Sequence, residues 1–318
     1  MQWDSDKLAF AEQVKQTASR LKIVLKTKDE HLFLPMWIAH HERIVGRNNI
    51  IIFDNNSSRS DVIDYYNRNN DLIISSYTGF HNYIHVQEMF KELYEAINSS
   101  CDYFIFLDSD EFLVWSDGVD YISDGRLIEK LANLGDARAI PTMWLHNVIS
   151  NSQLFVCGTT PGHLRGGLQW GKPIIKSNTV SDKIILHNAQ LDSSYYDIPL
   201  AINFFCLHMT KLFPEQRIAS NIRKLVARKF ADRDETVSQI LAKDASRSTD
   251  PNIPLYLNEI KLLLSSVPVT SQNSALVPEC MRFNEDGSIA FYSDLERETF
   301  INFINNENTI RSLFTKTL

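Results

Sequence analysis

The 318-residue chain lacks several features that would place it in a common class of protein. Its formal net charge is −7, which argues against a nucleic-acid-binding protein held by a general basic field. Its four cysteines lie far apart without a C-x-x-C pair, which suits reduced cytosolic thiols better than a disulfide framework or a zinc site. No apolar run reaches the roughly 20 residues needed to span a bilayer. These absences leave a globular protein whose expected partners are small molecules or neutral polymers.

The N-terminal segment, residues 1–20, also lacks an apolar core of the kind found in signal peptides. It carries charges at Asp4 and Lys7, so we do not interpret it as a leader. The spacing of Phe10 and Val14 is typical of a short amphipathic helix, which more often packs on its own domain than on lipid. We expect an N-terminal helix in a cytoplasmic protein, and a peripheral contact with the inner face of a membrane stays open.

Strands and helices are predicted to alternate from residue 21 onward. Short apolar runs indicate strands, and apolar residues at helical spacing indicate helices. The helix that follows the second strand is predicted to begin with a Ser or Asp cap. The predicted strands are 21–27, 50–53, 71–77 and 102–108, and the helices include 29–46 and 85–99. This alternation predicts an α/β fold with a doubly wound, mostly parallel sheet over residues 21–240. Beyond a linker with Pro251 and Pro254, apolar periodicity predicts a mainly helical C-terminal extension over 241–318.

Polar residues follow three of the predicted strands. Lys28, Asp29 and Glu30 follow the first, Asp54 and neighbouring asparagines follow the second, and Asp108-Ser109-Asp110 follow the fourth. In doubly wound sheets, ligands bind beyond the carboxyl ends of the strands, where the strand order reverses. Neither glycine-rich phosphate-binding motif, G-x-G-x-x-G or G-x-x-x-x-G-K-[ST], occurs in the chain. A bound phosphate would therefore have to be neutralised by something other than a glycine-rich loop.

The segment "YFIFLDSDEFLVW" offers one solution. Carboxylates at i and i+2, Asp108 and Asp110, can give oxygen ligands to one hard divalent cation whose remaining positions take diphosphate oxygens and water. The alternative is a strand end with acidic residues that cap the following turn. An isolated D-x-D favours that alternative, and its position directly after an apolar strand favours the metal.

Several motifs together resemble a known family. "KDEHLFLPMWIAHH", "IIIFDNNSSRSD", Gln87 ahead of a helix, "YFIFLDSDEFL" and "LHMTKLFPEQ" follow one another in this order. The set resembles the nucleotide-sugar glycosyltransferases of the A-type fold, in particular the glycosyltransferase family 92 type of domain and its family 2-like bacterial relatives. The resemblance covers roughly residues 21 to 230.

This resemblance implies a metal-dependent hexosyltransferase. Such an enzyme moves a sugar from a nucleotide diphosphate donor, here a UDP-sugar, to a hydroxyl of a saccharide acceptor with inversion, as in polysaccharide or glycan synthesis. The implied cofactor is Mn²⁺ or Mg²⁺, and its implied ligands are Asp108, Asp110 and His208. The residues implied to bind the donor are Lys28, Asp29 (Asn in the family's pattern), Glu30, Asp54, Asn55, Gln87, Ser109 and Lys211.

The general base for such a transfer stays open. The segment 139–181, expected to form the acceptor face, contains no Asp or Glu, although it carries Lys172 and Lys176. An inverting transfer needs a group that takes the proton of the acceptor hydroxyl. The candidates are Glu111, Asp192, Asp197, Glu215 and His146.

Two other classes of protein compete with this interpretation. A haloacid-dehalogenase-like phosphatase also ends an apolar strand with D-x-D, but it would carry Thr or Val where this chain has Phe112, and its motif would follow the first strand. A catalytically silent sugar-binding protein could retain the whole fold. Release of nucleoside diphosphate, inorganic phosphate or neither from a donor distinguishes the three. The oligomeric state is not predicted.

Overall fold

The computed structural model describes residues 1–117, 119–134, 137–147, 155–157, 171–179, 203–210, 213–266, 281–284, 286, 289–291, 293–295 and 297–298. The chain divides into two compact units. The first comprises residues 1–146, 155–208 and 280–318, and the second comprises residues 147–154 and 209–279.

Helices and strands alternate from α1 to β4 of the first unit, as the sequence predicts, whereas strands predominate among the described residues of this unit after β4. Its helices are α1 (Trp3–Lys15), α2 (Phe33–Val45), α3 (Ser60–Arg68), α4 (Lys91–Ser100) and α5 (Arg126–Ala132). The strands of its large sheet are β1 (Ser19–Thr27), β2 (Ile50–Asp54), β3 (Ile73–Ser76), β4 (Cys101–Leu107), β5 (Glu111–Ser116), β6 (Tyr121–Ile122), β7 (Ala139–Asn147), β8 (Phe155–Cys157), β9 (Pro173–Lys176) and β10 (Phe204–His208). A separate hairpin pairs β11 (Met281–Phe283) with β12 (Ile289–Phe291).

The large sheet has the strand order β3-β2-β1-β4-β9-β7-β10-β5-β6, and β8 pairs with β7. Strands β3, β2, β1 and β4 are parallel, β9 is antiparallel to both β4 and β7, and β10 is parallel to β7. The strand order reverses between β1 and β4. The fold is therefore α/β with a doubly wound, mostly parallel sheet, which confirms the predicted fold class.

One edge of this sheet collects the functional candidates. The carboxyl ends of β1, β2, β3, β4, β7 and β10 lie at this edge, because these strands run in one direction. The antiparallel strands β5 and β9 begin there instead. One rim of the sheet therefore brings together the residues that follow β2 and β4, the end of β10, and the residues that precede β5 and β9.

Aromatic side chains fill the core on one face of the sheet. Trp3 and Phe10 of α1 contact Phe53 of β2, with ring centroids 5.4 and 5.2 Å apart, and Phe90 stacks on Trp3 at 4.8 Å. These rings are almost completely buried, and apolar burial is the main favourable term in folding. The N-terminal helix therefore packs on its own domain.

The structure changes some of the predicted details. The second helix begins at Phe33 and the fourth at Lys91, several residues later than predicted, and a short 3₁₀ helix (His81–His85) precedes α4. Strand β4 is parallel to β1 alone, since its other neighbour, β9, is antiparallel. The predicted Ser or Asp cap of α3 is wrong: Arg59 occupies that position without a side-chain cap.

The second unit is helical where the structure describes it. It contains α6 (Pro214–Ala227), α7 (Val237–Ala242) and α8 (Asn252–Ser266). Helix α8 includes the helix predicted beyond the linker, but it begins at Asn252, so Pro254 lies in its first turn and not in a linker. Its core includes Leu225, Ile240 and Ile260. Among the described helices of the whole chain, none is long and apolar enough to cross a membrane.

Candidate functional site

The turn between β4 and β5 is closed by two reciprocal hydrogen bonds. The Glu111 N–H donates to the Asp108 carbonyl at 3.1 Å, and the Asp108 N–H donates to Glu111 Oε2 at 2.8 Å. Ser109 and Asp110 form the tip of this turn, and the Ser109 hydroxyl donates to Glu30 Oε2 at 3.2 Å. The apolar β4 places the turn at the rim of the sheet, so Asp108 is fixed at the base of the turn and Asp110 at its tip.

Asp108 lies between two buried lysines. Lys172 Nζ is 2.7 Å from Asp108 Oδ2, and Lys26 Nζ is 3.4 Å from Oδ1. Burial alone would raise the pKa of Asp108, but the two ammonium groups hold it well below its usual range. Burial lowers the pKa of Lys26, whereas Asp108 and Glu111 outweigh burial and raise the pKa of Lys172. Asp108 is therefore a permanently ionised carboxylate near neutral pH.

Glu111 is completely buried at the first position of β5. Its Oε1 accepts a hydrogen bond from the Trp144 indole N–H at 2.6 Å, and its Oε2 accepts the Asp108 N–H. Lys172 Nζ lies 3.5 Å from Oε2. Burial raises the pKa of Glu111. Both oxygens are thus engaged inside the protein, so this candidate base holds the turn.

Asp110 faces His208 across the rim. The distance from Asp110 Oδ1 to His208 Nε2 is 3.6 Å, and both side chains are partly exposed. His208 is the last residue of β10 and is in register with Glu111 of β5, which explains why residues almost a hundred positions apart meet. The Trp144 ring packs beside the imidazole, with centroids 4.6 Å apart.

The three predicted metal ligands differ in their surroundings. Within the described residues, no group of three or more His, Cys, Asp or Glu side chains is arranged to hold a metal ion. Asp110 and His208 offer one oxygen and one nitrogen donor that face each other, a combination that suits Mn²⁺ better than Mg²⁺. Asp108 is occupied by ammonium groups. A metal centre to which Asp110 and His208 would contribute one ligand each, with or without Asp108, stays a prediction.

The loops after β1 and β2 bind each other. Asp29, whose φ is +50°, accepts the backbone N–H groups of Ser58 and Arg59 at 2.6 and 2.9 Å. Asp54 accepts the Ser57 N–H at 2.7 Å, the Ser57 hydroxyl, and the Tyr66 hydroxyl at 3.2 Å. Asp54 therefore shapes the turn after β2, rather than capping α3.

Four further predicted donor-binding residues are described, of which Lys28, Glu30 and Asn55 lie beside the carboxyl ends of β1 and β2. Glu30 Oε1 accepts the Leu32 and Phe33 N–H groups at the start of α2, so this side chain stabilises the helix start. Asn55 donates to the Gly79 carbonyl at 3.0 Å, and Gln87 donates to the Thr179 carbonyl at 3.3 Å. Lys28 is exposed. Which of these side chains contact a donor stays a prediction.

The other candidate residues differ in their positions. Lys211, Asp192 and Asp197 are outside the described residues. The backbone of His146 is in register with His208 on the neighbouring strand β7. Glu215 is exposed in the first turn of α6, in the second unit.

Sequence reasoning missed three residues that surround the turn. Lys26 belongs to an apolar strand, Lys172 is marked only as a cation of an acid-free segment, and Trp144 belongs to the same segment without a feature that links it to the turn. The one usable signal was the presence of two lysines, Lys22 and Lys26, inside the otherwise apolar run "LKIVLKT", because a buried lysine requires a partner.

Comparisons with known proteins give only distant similarities. The chain resembles a cytidylyltransferase from Leptospira borgpetersenii serovar Hardjo-bovis with a TM-score of 0.31 and 10% identity, over 80% of this chain and 99% of that chain. It resembles S. aureus TarS with a TM-score of 0.35 and 12% identity, over 79% of this chain and 49% of that chain. For TarS residues 1–349 the TM-score is 0.34 and the identity is 10%, over 77% of this chain and 71% of that chain. No family model and no curated protein matches the chain. We draw nothing about activity from superpositions this loose, and membership of family 92 stays a prediction.

Proposed function

We propose that the protein is a metal-dependent glycosyltransferase that uses a nucleoside diphosphate sugar. The observation that carries this proposal is the opposition of Asp110 and His208, 3.6 Å apart, at the rim formed by the strand ends. The reversal of strand order between β1 and β4 is where ligands bind in doubly wound sheets. Lys26 and Asp108 flank this reversal.

The chain has no glycine-rich phosphate loop, so the diphosphate needs another source of positive charge. Asp110 and His208 would hold Mn²⁺, or Mg²⁺, which when bound supplies Lewis-acid stabilisation of the charge on the departing nucleoside diphosphate. Asp108 provides a fixed negative charge beside them. We take UDP as the nucleotide and a saccharide as the acceptor, on the basis of the motif order described above.

In the proposed transfer, the oxygen of an acceptor hydroxyl forms a bond to the anomeric carbon while the bond from that carbon to the diphosphate oxygen breaks. Inversion follows if attack and departure occur on opposite faces of the sugar. The hydroxyl proton passes to a base. Glu111 is a poor base because it is buried with both oxygens engaged, so Asp192, Asp197, Glu215 and His146 are the better candidates.

The proposal is tested by incubating the protein with a panel of UDP-sugars and Mn²⁺, with and without saccharide acceptors, and by measuring the nucleotide and phosphate released. We expect slow release of UDP that stops when the metal is chelated. The Asp110→Asn variant should lose this release. Inorganic phosphate as the product would instead indicate a phosphatase, and no release in any condition would indicate a silent sugar-binding protein.

The role of His208 has a separate test. We expect His208→Ala to weaken Mn²⁺-dependent UDP binding by about tenfold or more, the loss of one ligand from a small set, while the melting temperature without metal changes little. Calorimetry with UDP and Mn²⁺, together with thermal unfolding, measures both quantities. Unchanged binding with a much lower melting temperature would assign His208 to the core instead.

A further inference from the structure

Two lysines that no prediction placed in the site lie against its first carboxylate. The side chains of Lys26 and Lys172 are only 5% and 2% exposed, and their Nζ atoms approach different oxygens of Asp108. Burying an ammonium group is unfavourable unless it is paired. The Asp108 side chain, in contrast, is 38% exposed, so it remains open to the rim while the two lysines hold it from inside.

Each lysine also has contacts that do not involve Asp108. Lys26 is held in the middle of the sheet, where it is in register with Phe53 of β2, and its Nζ also donates to Asn82 Oδ1 at 2.9 Å. The Thr142 hydroxyl of β7 donates to the Lys172 carbonyl at 2.7 Å and accepts the Lys172 N–H at 3.0 Å. The two cations therefore form a preorganised holder for the carboxylate.

The holder controls the turn as well as Asp108. Lys172 Nζ contacts Asp108 Oδ2 at 2.7 Å and Glu111 Oε2 at 3.5 Å, and these two residues form the two ends of the turn. Asp110 lies between them at the tip. When both ends of a four-residue turn are fixed, the direction of its tip is fixed too.

We propose that Lys26 and Lys172 are positioning residues: they hold Asp108 and the turn from Asp108 to Glu111 in the conformation that presents Asp110 to His208 and to the donor diphosphate. This inference rests on the proposed function. A purely structural role, in which the lysines only neutralise buried carboxylates, predicts a loss of stability without a specific loss of donor affinity.

The chain offers a matched control in Lys22. This lysine lies on the same strand, four residues before Lys26, and it is completely buried. Its Nζ donates to the Thr17 carbonyl at 2.7 Å and to Asn49 Oδ1 at 3.1 Å, at the opposite end of β1 from the rim. Lys22→Met therefore removes the same buried charge from the same strand without touching the turn.

The test compares Lys26→Met, Lys172→Met and Lys22→Met by calorimetric titration with UDP in the presence of Mn²⁺, at a temperature where circular dichroism shows each variant folded. We expect the dissociation constant to rise by about tenfold or more for the first two, the equivalent of one charge-assisted hydrogen bond. For Lys22→Met we expect a change within about twofold, despite a lower melting temperature.

A second measurement needs no ligand. The Trp144 indole N–H donates to Glu111 Oε1 at 2.6 Å, so its resonance in protein labelled with ¹⁵N-tryptophan reports on the turn. The resonance should move in Lys172→Met and stay in place in Lys22→Met. If Lys172→Met does not fold, the Trp144 resonance is compared between Lys26→Met and Lys22→Met instead. Lys26 contacts Asp108 and Asn82, so a shift of the resonance in Lys26→Met would report a change in the turn itself.

The outcomes separate the two proposals. If the wild-type protein binds UDP and both site variants bind it as tightly as Lys22→Met does, the lysines are structural and this inference is overturned, while the proposed function stands. If the wild-type protein binds neither UDP nor the diphosphates of the other nucleosides, the proposed function fails and this inference fails with it.

Discussion

Asp108 and Asp110 are two positions apart, yet their side chains have different surroundings. Asp108 is in contact with two buried ammonium groups, whereas Asp110 lies at the tip of the turn beside His208. In the sequence they form one D-x-D motif, which suggests two equivalent ligands. At the residue scale, the structure favours a division of roles, with Asp108 fixing the turn and Asp110 presented at the rim.

This division predicts that the two asparagine variants differ in stability. Asp108→Asn removes the carboxylate charge that Lys26 and Lys172 share, and we expect a loss of about 1–3 kcal/mol in the free energy of unfolding, toward the lower end because water reaches part of the Asp108 side chain and Glu111 still lies near Lys172. Asp110→Asn removes only a partly exposed contact, and we expect a change within about 0.5 kcal/mol. Urea unfolding without metal measures both, and equal losses would contradict the division.

At the scale of elements, two side chains of α2 form hydrogen bonds with the backbone of β5. Strand β5 pairs with β10 over most of its length but with β6 only at Trp115 and Ser116. On that open side, His40 Nε2–H donates to the Leu113 carbonyl at 2.8 Å, and the Leu113 N–H donates to His41 Nε2 at 3.2 Å. Since His41 accepts at Nε2, its proton is on Nδ1, which donates to the Trp37 carbonyl at 2.8 Å. Two adjacent imidazoles thus replace a neighbouring strand and support the strand that begins at the turn.

This arrangement predicts a pH dependence of stability. Burial, reinforced by His40, holds the pKa of His41 well below its usual value, so the folded protein resists a proton that the unfolded chain takes up near pH 6.5. The contribution of neutral His41 to the free energy of unfolding is therefore complete above about pH 6.5. Below that pH it falls by about 1.4 kcal/mol per pH unit, until the pKa of His41 in the folded protein is reached.

The variant His41→Leu isolates this contribution. We expect it to lower the free energy of unfolding at pH 8 by about 1–3 kcal/mol, because the buried Leu113 N–H loses its acceptor. Between pH 6.5 and 5, the free energy of unfolding of the variant should fall less steeply with decreasing pH than that of the wild type. The difference in slope corresponds to one proton fewer taken up on unfolding. Urea unfolding across this pH range provides the comparison, and parallel curves would show that His41 is not the group responsible.

At the scale of the whole molecule, each of the two units has its own core. In the first unit Phe10 is completely buried among the rings of Trp3 and Phe53, and in the second Ile260 is completely buried in a cluster with Leu225 and Ile240. The second unit adds a partly buried polar contact of its own, in which Glu259 accepts from Arg217 and Asn221 at 2.9 and 2.7 Å. A unit with its own core is expected to unfold as its own cooperative transition.

We therefore predict that core substitutions act locally. Phe10→Ala should destabilise the first unit by about 3–5 kcal/mol and Ile260→Ala the second by about 2–5 kcal/mol, the usual range for truncation of a buried side chain. Differential scanning calorimetry should show two transitions, with each substitution shifting one of them. A single transition shifted by both variants would mean that the units unfold together.

The sequence alone determined the main architecture and the edge of the sheet at which the candidate carboxylates lie. Apolar runs such as "DYFIFLD" and "NIIIFD" specify buried strands, and helical spacing between them specifies crossovers that make the strands parallel. Parallel strands carry the residues after their carboxyl ends to one edge, so Asp54 and Asp108 were placed there without any knowledge of contacts. The short strand β9 carried no comparable signal, because four residues that begin with a proline are too few to show a period.

Only the tertiary structure decided which charges meet at that edge. The insertion of antiparallel β9 beside β4 brings Lys172 to Asp108 across 64 positions, and the adjacency of β1 and β4 brings Lys26 to the same carboxylate. The pairing of β10 with β5 brings His208 opposite the turn. Strand order depends on how all the elements pack together, and ion pairing falls steeply with distance. A local sequence pattern therefore identifies the carboxylates of this site, whereas the fold alone selects their cationic partners.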